Sequence, residues 1–484
     1  MKKVRVAVIG SGLAGLSTAY LLSKDQEEFE VHLFEKNSSV GMDASSISIG
    51  PKKEHRIDVP MRSFKSGYYS HLLRLYQHLD IPAQRARFSF GWYLIRQETT
   101  EIYKPSEVAS YTKNEPYLIY SGSKSLNCLH LIRHNTHSIW EQCQSFASYC
   151  WTTWIVVFSY FQILFISLYM HYFGYLHDPN HIISQLTLED FFSRYYIHSY
   201  FAHKVFIPLF AAVCTNSYQS MLQYPATDVL EYLALGLFEE SYVAGSGVQQ
   251  VVQRLSEPLH HIHLETQIVS IRKTSDYEIL DEEGKVYHVD HIVFATQGNQ
   301  AARLLNSTHQ RQIEVLQAFE YDQALVINHT DVRLLPNNPE HWRTLNFAIK
   351  DSTVKAGQSE WLVPYETTMA THVLNMTHTM AKDSIYLQTT NPCVSVDPKK
   401  VLSVAWFERA TVTLSSKRAL QSLVCLKDGE YRLGPLQGLD GIWFVGSYCW
   451  KGIPLLEGCV ASAEHVGQGI ARSEGILMKV PWNQ

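Results

Sequence analysis

The chain has 484 residues, 46% of them hydrophobic and 18% charged, with a formal net charge of −5. That length exceeds one ordinary domain, so two or three domains around a large core are expected. The composition is that of a globular chain with somewhat fewer charges than usual, and the mild negative charge gives no reason to expect a nucleic-acid partner. Eight cysteines, none in a C-x-x-C pair, argue against a zinc or dithiol site and against a disulfide scaffold.

The first segment, Met1 to Ser23, has a basic start and an apolar continuation, as a signal peptide would. The same stretch carries a glycine pattern with a chemical purpose, so it is expected to stay on the chain, and the sequons at Asn37, Asn306, Asn328 and Asn375 are expected to be idle. Val4 to Ile9 reads as a buried parallel strand. Gly10-Ser-Gly12-Leu-Ala-Gly15 follows, then a helix over Leu16 to Ser23, then a second strand, Glu30 to Glu35, that ends in an acid. This is a full βαβ dinucleotide fingerprint. Gly10 permits the turn, Gly12 lets a pyrophosphate approach the backbone, and Gly15 lets the helix pack on the strand. The helix N-terminus offers N–H groups to the phosphates. Glu35 stands where it accepts from ribose hydroxyls and repels a 2′-phosphate.

Residues 142–177 contain no Asp, Glu, Lys or Arg. Trp151, Trp154, Phe158, Phe161, Phe165, Leu168, Tyr172 and Tyr175 recur at alternating steps of three and four, a single helical stripe near 151–175. Length and hydropathy allow a membrane span. Topology argues against one, since nucleotide-site elements lie on both sides of the run. The remaining readings are a helix buried in, or lining, the substrate domain, and a monotopic helix lying in one leaflet.

Gly245-Ser-Gly247 then reads as a loop before a helix from Val248 to Leu255. A strand over His263 to Ile271 follows, then Tyr277 to Leu280, a turn at Glu283-Gly284-Lys285, and Tyr287 to Ala295. This is a meander inserted into an open α/β sheet. His260, His261 and His263 have no companion acid at ligand spacing in the sequence, so no metal is expected. Near the end, Gly441 to Gly446 reads as a strand running into a glycine turn at Gly446-Ser447-Tyr448. Pro454 to about Ala471, with Glu457-Gly458, reads as a helix with small residues at its start.

Together these residues resemble the flavin-containing amine oxidase and phytoene desaturase superfamily. They look closest to a branch of uncharacterised predicted NAD/FAD-binding oxidoreductases. Arg56-Ile-Asp58-Val-Pro60, Tyr68-Tyr69, Leu188 to Phe192, Pro208 to Ala212, Tyr224-Pro225-Ala226 and Thr390-Asn391-Pro392 resemble that branch. Val40-Gly41-Met42-Asp43 keeps one of its two glycines. The resemblance implies FAD as cofactor. It places ADP at Gly10, Gly12, Gly15 and Glu35, the adenine by Ile268, and the flavin by Gly446, Ser447 and Gly458. Amine oxidases proper usually carry an acid where Ser447 stands. Their aromatic pair is not evident either, with Tyr448, Trp450 and Trp406 as options.

The expected architecture is α/β: a Rossmann-type FAD domain from residues 1–90, 240–310 and 430–475, interleaved with an α+β substrate domain from 91–239 and 311–429. The expected activity is FAD-dependent removal of a hydride equivalent from an apolar or lipid-like small molecule, as in an oxidase or desaturase. No second nucleotide motif is evident, so reoxidation by oxygen or a quinone is expected. Amine oxidation is the alternative within that chemistry. A non-catalytic lipid escort, like the Rab GDP-dissociation inhibitors that resemble this superfamily in fold, is the alternative outside it. The protein is expected on the cytoplasmic side, with monotopic membrane association as an option. Catalytic side chains and oligomeric state are not legible.

Overall fold

We describe a computed structural model of the chain; it describes residues 3–50, 52–53, 55–97, 111–112, 116–122, 129–130, 139–245, 247–350, 368–378 and 384–483. The Val- and Ile-rich runs become central strands because both their faces are covered. Five parallel strands form one sheet, in the order His261–His263, Phe29–Phe34, Val4–Ile9, His291–Phe294, Ile442–Phe444. Val6, Val8 and Val293 point to one face and pack with the helices Leu13–Ser23, Val248–Ser256 and Leu456–Ser473. Ala7, Ile9, Ile292 and Phe294 point to the other and pack beneath a three-stranded antiparallel meander. The sheet thus draws strands from both ends and the middle of the chain.

Two expected segments divide. The run His263 to Ile271 was expected as one strand, but it breaks where Glu265 adopts φ 49°. His261–His263 joins the parallel sheet, while Ile268–Lys273 opens the meander. Tyr287 to Ala295 likewise splits into Val286–Val289 of the meander and His291–Phe294 of the parallel sheet. The first helix begins at Leu13, inside the glycine motif and three residues before the expected start at Leu16.

The second large sheet has nine strands and is mixed. Its longest pair, Glu320–His329 with Val401–Thr411, is antiparallel, and one pair, Leu345–Lys350 with Phe90–Gln97, is parallel. Helices Leu188–Arg194, Ile207–Cys214 and Ala226–Gly236 pack beside it in one apolar cluster that includes Trp92 and Phe347.

The aromatic run forms one helix, Ile139–Tyr172. At 34 residues it is roughly 50 Å long. Its buried face is aliphatic and small: Ile155, Val156, Ser159, Ile163, Ser167 and Met170. The aromatic stripe points outward, with Trp151 62%, Phe165 70% and Tyr172 82% exposed. Of the two readings, a helix packed in the substrate domain or one lying on a leaflet, the helix does pack on the substrate-side cluster, but the aromatic stripe is not the face that does so. The periodicity was real, but the narrower aliphatic stripe on the opposite side meets the core. Trp151, Trp154 and Phe158 stack in series, at 5.5 Å and 5.0 Å between centroids. Tyr175 lies past the helix end, beyond Gly174 in the left-handed region. Among the described residues, Gln142–Tyr172 is the one helix long and apolar enough to cross a membrane.

Candidate functional site

The glycines gather at the carboxyl ends of the parallel strands, where open α/β sheets bind ligands. Gly10 sits at φ 102°, and a Cβ there would lie 2.8 Å from the Ala295 carbonyl oxygen. Gly15 is more tightly held: its Cβ would fall 2.0 Å from the Gly10 carbonyl oxygen. A Cβ on Gly12 would meet nothing within 4 Å, so this glycine faces open space. Gly12 is also the N-cap of Leu13–Ser23, and no side chain caps that end. Its first-turn N–H groups are left for a ligand.

Glu35 follows the second strand and is nearly buried. One carboxylate oxygen accepts from the Ser11 amide at 3.1 Å and from the Ser11 hydroxyl, and the other accepts from the Asn37 amide at 2.9 Å and side chain at 2.7 Å. The Ser11 hydroxyl in turn accepts from the Gly41 amide at 2.8 Å. Glu35 thus ties the glycine turn to the end of the second strand. Its carbonyl accepts from the Thr266 amide at 2.9 Å, which brings the start of the meander alongside. Ile268 lies there, buried with Phe34 and Ile9.

Gly446, Ser447 and Gly458 come to the same end from the other side. Gly446 exchanges hydrogen bonds with the Ser462 hydroxyl, at 3.1 and 3.2 Å. A Cβ on Gly458 would lie 2.8 Å from the Ser447 carbonyl oxygen. Leu456–Ser473, which contains Gly458, also starts without a side-chain cap. The Cys459 thiol is within reach of the backbone N–H groups of both Ser447 and Ala14, and burial pushes its pKa up to about 12. Cys459 therefore joins the starts of two helices that lie more than four hundred residues apart in the chain.

Two arginines approach Cys459. Arg62 donates to the Met42 carbonyl at 2.8 Å, and its other terminal nitrogen is buried without a partner. Arg409, on Val401–Thr411, has a buried and unpartnered Nε. No sequence signal marked either residue, because each is placed by strand pairing far from the motifs. Cys459, next to Gly458 in a small-residue helix start, was findable.

The aromatic options sort differently. Trp406 is 61% exposed on the outside of its strand and does not reach the site. Tyr448 is buried edge-on against Phe319 at 5.0 Å, and Trp450 packs on His465 at 4.6 Å. They do not face one another as a pair. Both border a cavity of about 1000 Å³, together with Ser447, Asp228, Glu231 and Lys451. Two ion pairs border it, Lys451 with Glu231 at 2.8 Å and Lys417 with Asp228.

The histidines at the sheet edge do have a companion acid, contrary to the sequence reading. Glu30 comes alongside from the neighbouring strand, 3.1 Å from His32, whose ring stacks on His261 at 4.6 Å. Burial and the adjacent His32 lower the His263 pKa to about 4.

Residues 8–79 match the description of an NAD(P)-binding Rossmann-like domain. No curated protein matches the chain in sequence. Solved structures match over nearly the whole length. A protein assigned as a protoporphyrinogen oxidase from Exiguobacterium sp. 255-15 is 13% identical, with 98% of this chain and 100% of that chain covered and a TM-score of 0.61. A CLA-producing fatty acid isomerase from P. acnes is 14% identical, with 98% and 99% covered and a TM-score of 0.58. Cyclohexylamine oxidase from Brevibacterium oxydans IH-35A is 11% identical, with 98% and 100% covered and a TM-score of 0.57. At these identities the likeness is one of fold.

Proposed function

We propose that this chain, which has the fold of the flavin amine oxidase and desaturase superfamily, is an FAD-dependent oxidoreductase. The observation that carries the reading is the meeting of two uncapped helix starts, at Gly12 and at Gly458–Cys459, across the ends of parallel strands. NAD needs one such helix start for its pyrophosphate. FAD is longer, and the second start serves the flavin end. In this reading residues near 1–90, 240–310 and 430–475 form the cofactor domain. Gly10, Gly12 and Gly15 shape the phosphate turn, and Ile268 lies by the adenine. Glu35 already serves Ser11 and Asn37, but a carboxylate has about four lone-pair sites and accepts a ribose hydroxyl as well. Gly446, Ser447 and Gly458 give close backbone approach to the flavin end.

Bound FAD supplies acceptance of a hydride equivalent from a substrate C–H. The chain's part is to hold and orient both molecules. The fatty acid isomerase and the protoporphyrinogen oxidase among the structural relatives support an apolar substrate. The outward position of Trp406 and the lack of a facing aromatic pair weigh against an amine. The exposed stripe from Trp151 to Tyr172 supports monotopic contact with a lipid surface, because Trp and Tyr favour that interface. A span is disfavoured: strands before and after this helix share one sheet. Anaerobic mixing of the FAD-loaded protein with apolar acids, polyenes and amines tests the reading. Bleaching of the flavin by an apolar substrate is expected. Fast stoichiometric bleaching by NADPH alone, or bleaching by amines only, would contradict it.

A further inference from the structure

The meander covers one end of its face of the parallel sheet. On Phe29–Phe34, Val31 and Leu33 point to the helix side, so Glu30, His32 and Phe34 point to the meander side. In parallel register His261 stands beside His32, and His263 beside Phe34. Tyr287 of the meander packs edge-on against Phe34 at 4.9 Å and against His263 at 5.1 Å. Glu30, His32 and His261 lie nearer the amino ends of the two strands and are half-buried or exposed. Any polar residues would suit a solvated sheet edge. This edge instead brings together two imidazoles and a carboxylate from strands more than two hundred residues apart.

The rings are held parallel. His32 and His261 are 4.6 Å apart between centroids with 12° between their planes, and His32 and His263 are 5.3 Å apart with 5°. His32 Nε2 is 3.1 Å from Glu30 Oε1, and one ligand atom from each of Glu30, His32 and His261 lies within 4.8 Å of the other two. A tetrahedral ion with bonds of roughly 2.0–2.2 Å sets its ligand atoms about 3.3–3.6 Å apart. The Glu30–His32 pair is close to that spacing already, and a turn of the exposed His261 ring brings in the third ligand. The other nitrogen of His32, Nδ1, is 3.0 Å from His263 Nε2. A metal-bound imidazole commonly gives its second N–H to such an acceptor, which fixes the ring. His263 is therefore in place to orient His32. The His32 and Glu30 side chains keep 18% and 38% exposure, which leaves water access to the remaining coordination positions. Lys285, a cation nearby, is drawn over the Tyr287 ring at 4.8 Å.

We propose that Glu30, His32 and His261 bind a divalent cation of the Zn2+ class, and that the ion fastens the edge strand to the sheet. Two imidazoles and one carboxylate suit Zn2+, whereas Mg2+ and Ca2+ take oxygen ligands. The ion's role is structural. At roughly 3.3 Å per residue, Glu30 stands about 16 Å before Glu35 and the glycine turn. His261–His263 is a three-residue edge strand with one neighbour in its sheet. Its His263 carbonyl accepts from the Glu35 amide at 2.8 Å. A link at His261 thus secures the strand that supports Glu35. This site stands independently of the oxidoreductase reading.

The test uses the whole chain, stripped of metal by a chelator. Zn2+ and Mg2+ are titrated calorimetrically into the wild type, His261→Ala, Glu30→Gln and the neighbouring control His260→Ala, and thermal unfolding is followed with and without Zn2+. The wild type and His260→Ala are expected to bind Zn2+ alike, and neither to bind Mg2+ comparably. His261→Ala and Glu30→Gln are expected to bind Zn2+ roughly tenfold or more weakly, since losing a ligand costs at least what losing its outer partner does. The ligands meet only in the folded chain, so Zn2+ should raise the Tm of the wild type and of His260→Ala but not that of His261→Ala. His261 is exposed, so without Zn2+ its variant should melt like the wild type; should it fail to fold, Glu30→Gln carries the comparison. Zn2+ binding as tight in the two ligand variants as in the wild type overturns the proposal. So does an equal loss in His260→Ala, which would mean a diffuse histidine surface, or binding that leaves the wild-type Tm unmoved.

Discussion

At Gly12 and Gly15 the same added methyl group meets opposite surroundings. On Gly15 it strikes the Gly10 carbonyl oxygen, so Gly15→Ala must push the helix off the strand. A loss of about 1–3 kcal/mol or more in urea unfolding is expected. On Gly12 it enters open space, and the backbone there is at φ −61°, open to any residue. Gly12→Val is expected to unfold like the wild type but to bind FAD at least roughly tenfold more weakly. Equal losses of stability in both would contradict these roles. His329 gives a pH prediction. Its Nδ1 accepts from the Asp331 amide at 3.0 Å, so Nε2 carries the proton toward Thr389 Oγ1 at 2.8 Å. Burial lowers its pKa to about 4. The unfolded ring takes a proton near pH 6.5 and the folded one does not, so stability falls as pH drops from about 6.5 to about 4, by up to about 1.4 kcal/mol per pH unit. His329→Gln should show a shallower slope than the wild type across that window; an unchanged slope would count against it. The glycines were legible because each answers a local geometric demand. Arg62 and Arg409 were not, because strand pairing far from the motifs brings them to the site, and each leaves a buried nitrogen without a partner among the described residues.

The helix Ile139–Tyr172 shows how far periodicity goes. Its stripe of aromatics was evident in the sequence, but which side meets the core was not. A wide aromatic stripe and a narrow aliphatic one have the same period. Burial selected Val156, Ile163 and Met170, whose spacing of seven keeps them on one side against the helix Ala226–Gly236. Ile163→Ala is expected to cost about 2–4 kcal/mol. The triple change Trp154→Ser, Phe158→Ser and Phe165→Ser should leave thermal stability unchanged while abolishing flotation with anionic phosphatidylserine vesicles. A variant that floats as well as the wild type would remove this helix from membrane contact. The split of the expected His263–Ile271 strand has a similar cause. The residue pattern suits strands throughout, and only the positive φ of Glu265 marks where the chain changes sheets.

At the scale of the whole molecule, the site exists only because the chain returns to one sheet three times. Val4–Ile9, His291–Phe294 and Ile442–Phe444 are neighbours, although the last two begin hundreds of residues after the first. Each βα start was readable by itself, and their order resembled a known architecture. The substrate side was much less readable. Its nine-stranded sheet is built from strands such as Met369–Val373 and Leu387–Thr390, whose faces carry buried Thr, His and Gln rather than an apolar alternation. The central claim is that the two helix starts together hold FAD. Titration of the purified protein with FAD, followed by the visible flavin band after gel filtration, tests it most directly. The account predicts one flavin retained per chain, lost in Gly12→Val and unaffected by an excess of NAD. A colourless protein that takes up no added FAD, or whose flavin is displaced by NAD, would contradict it.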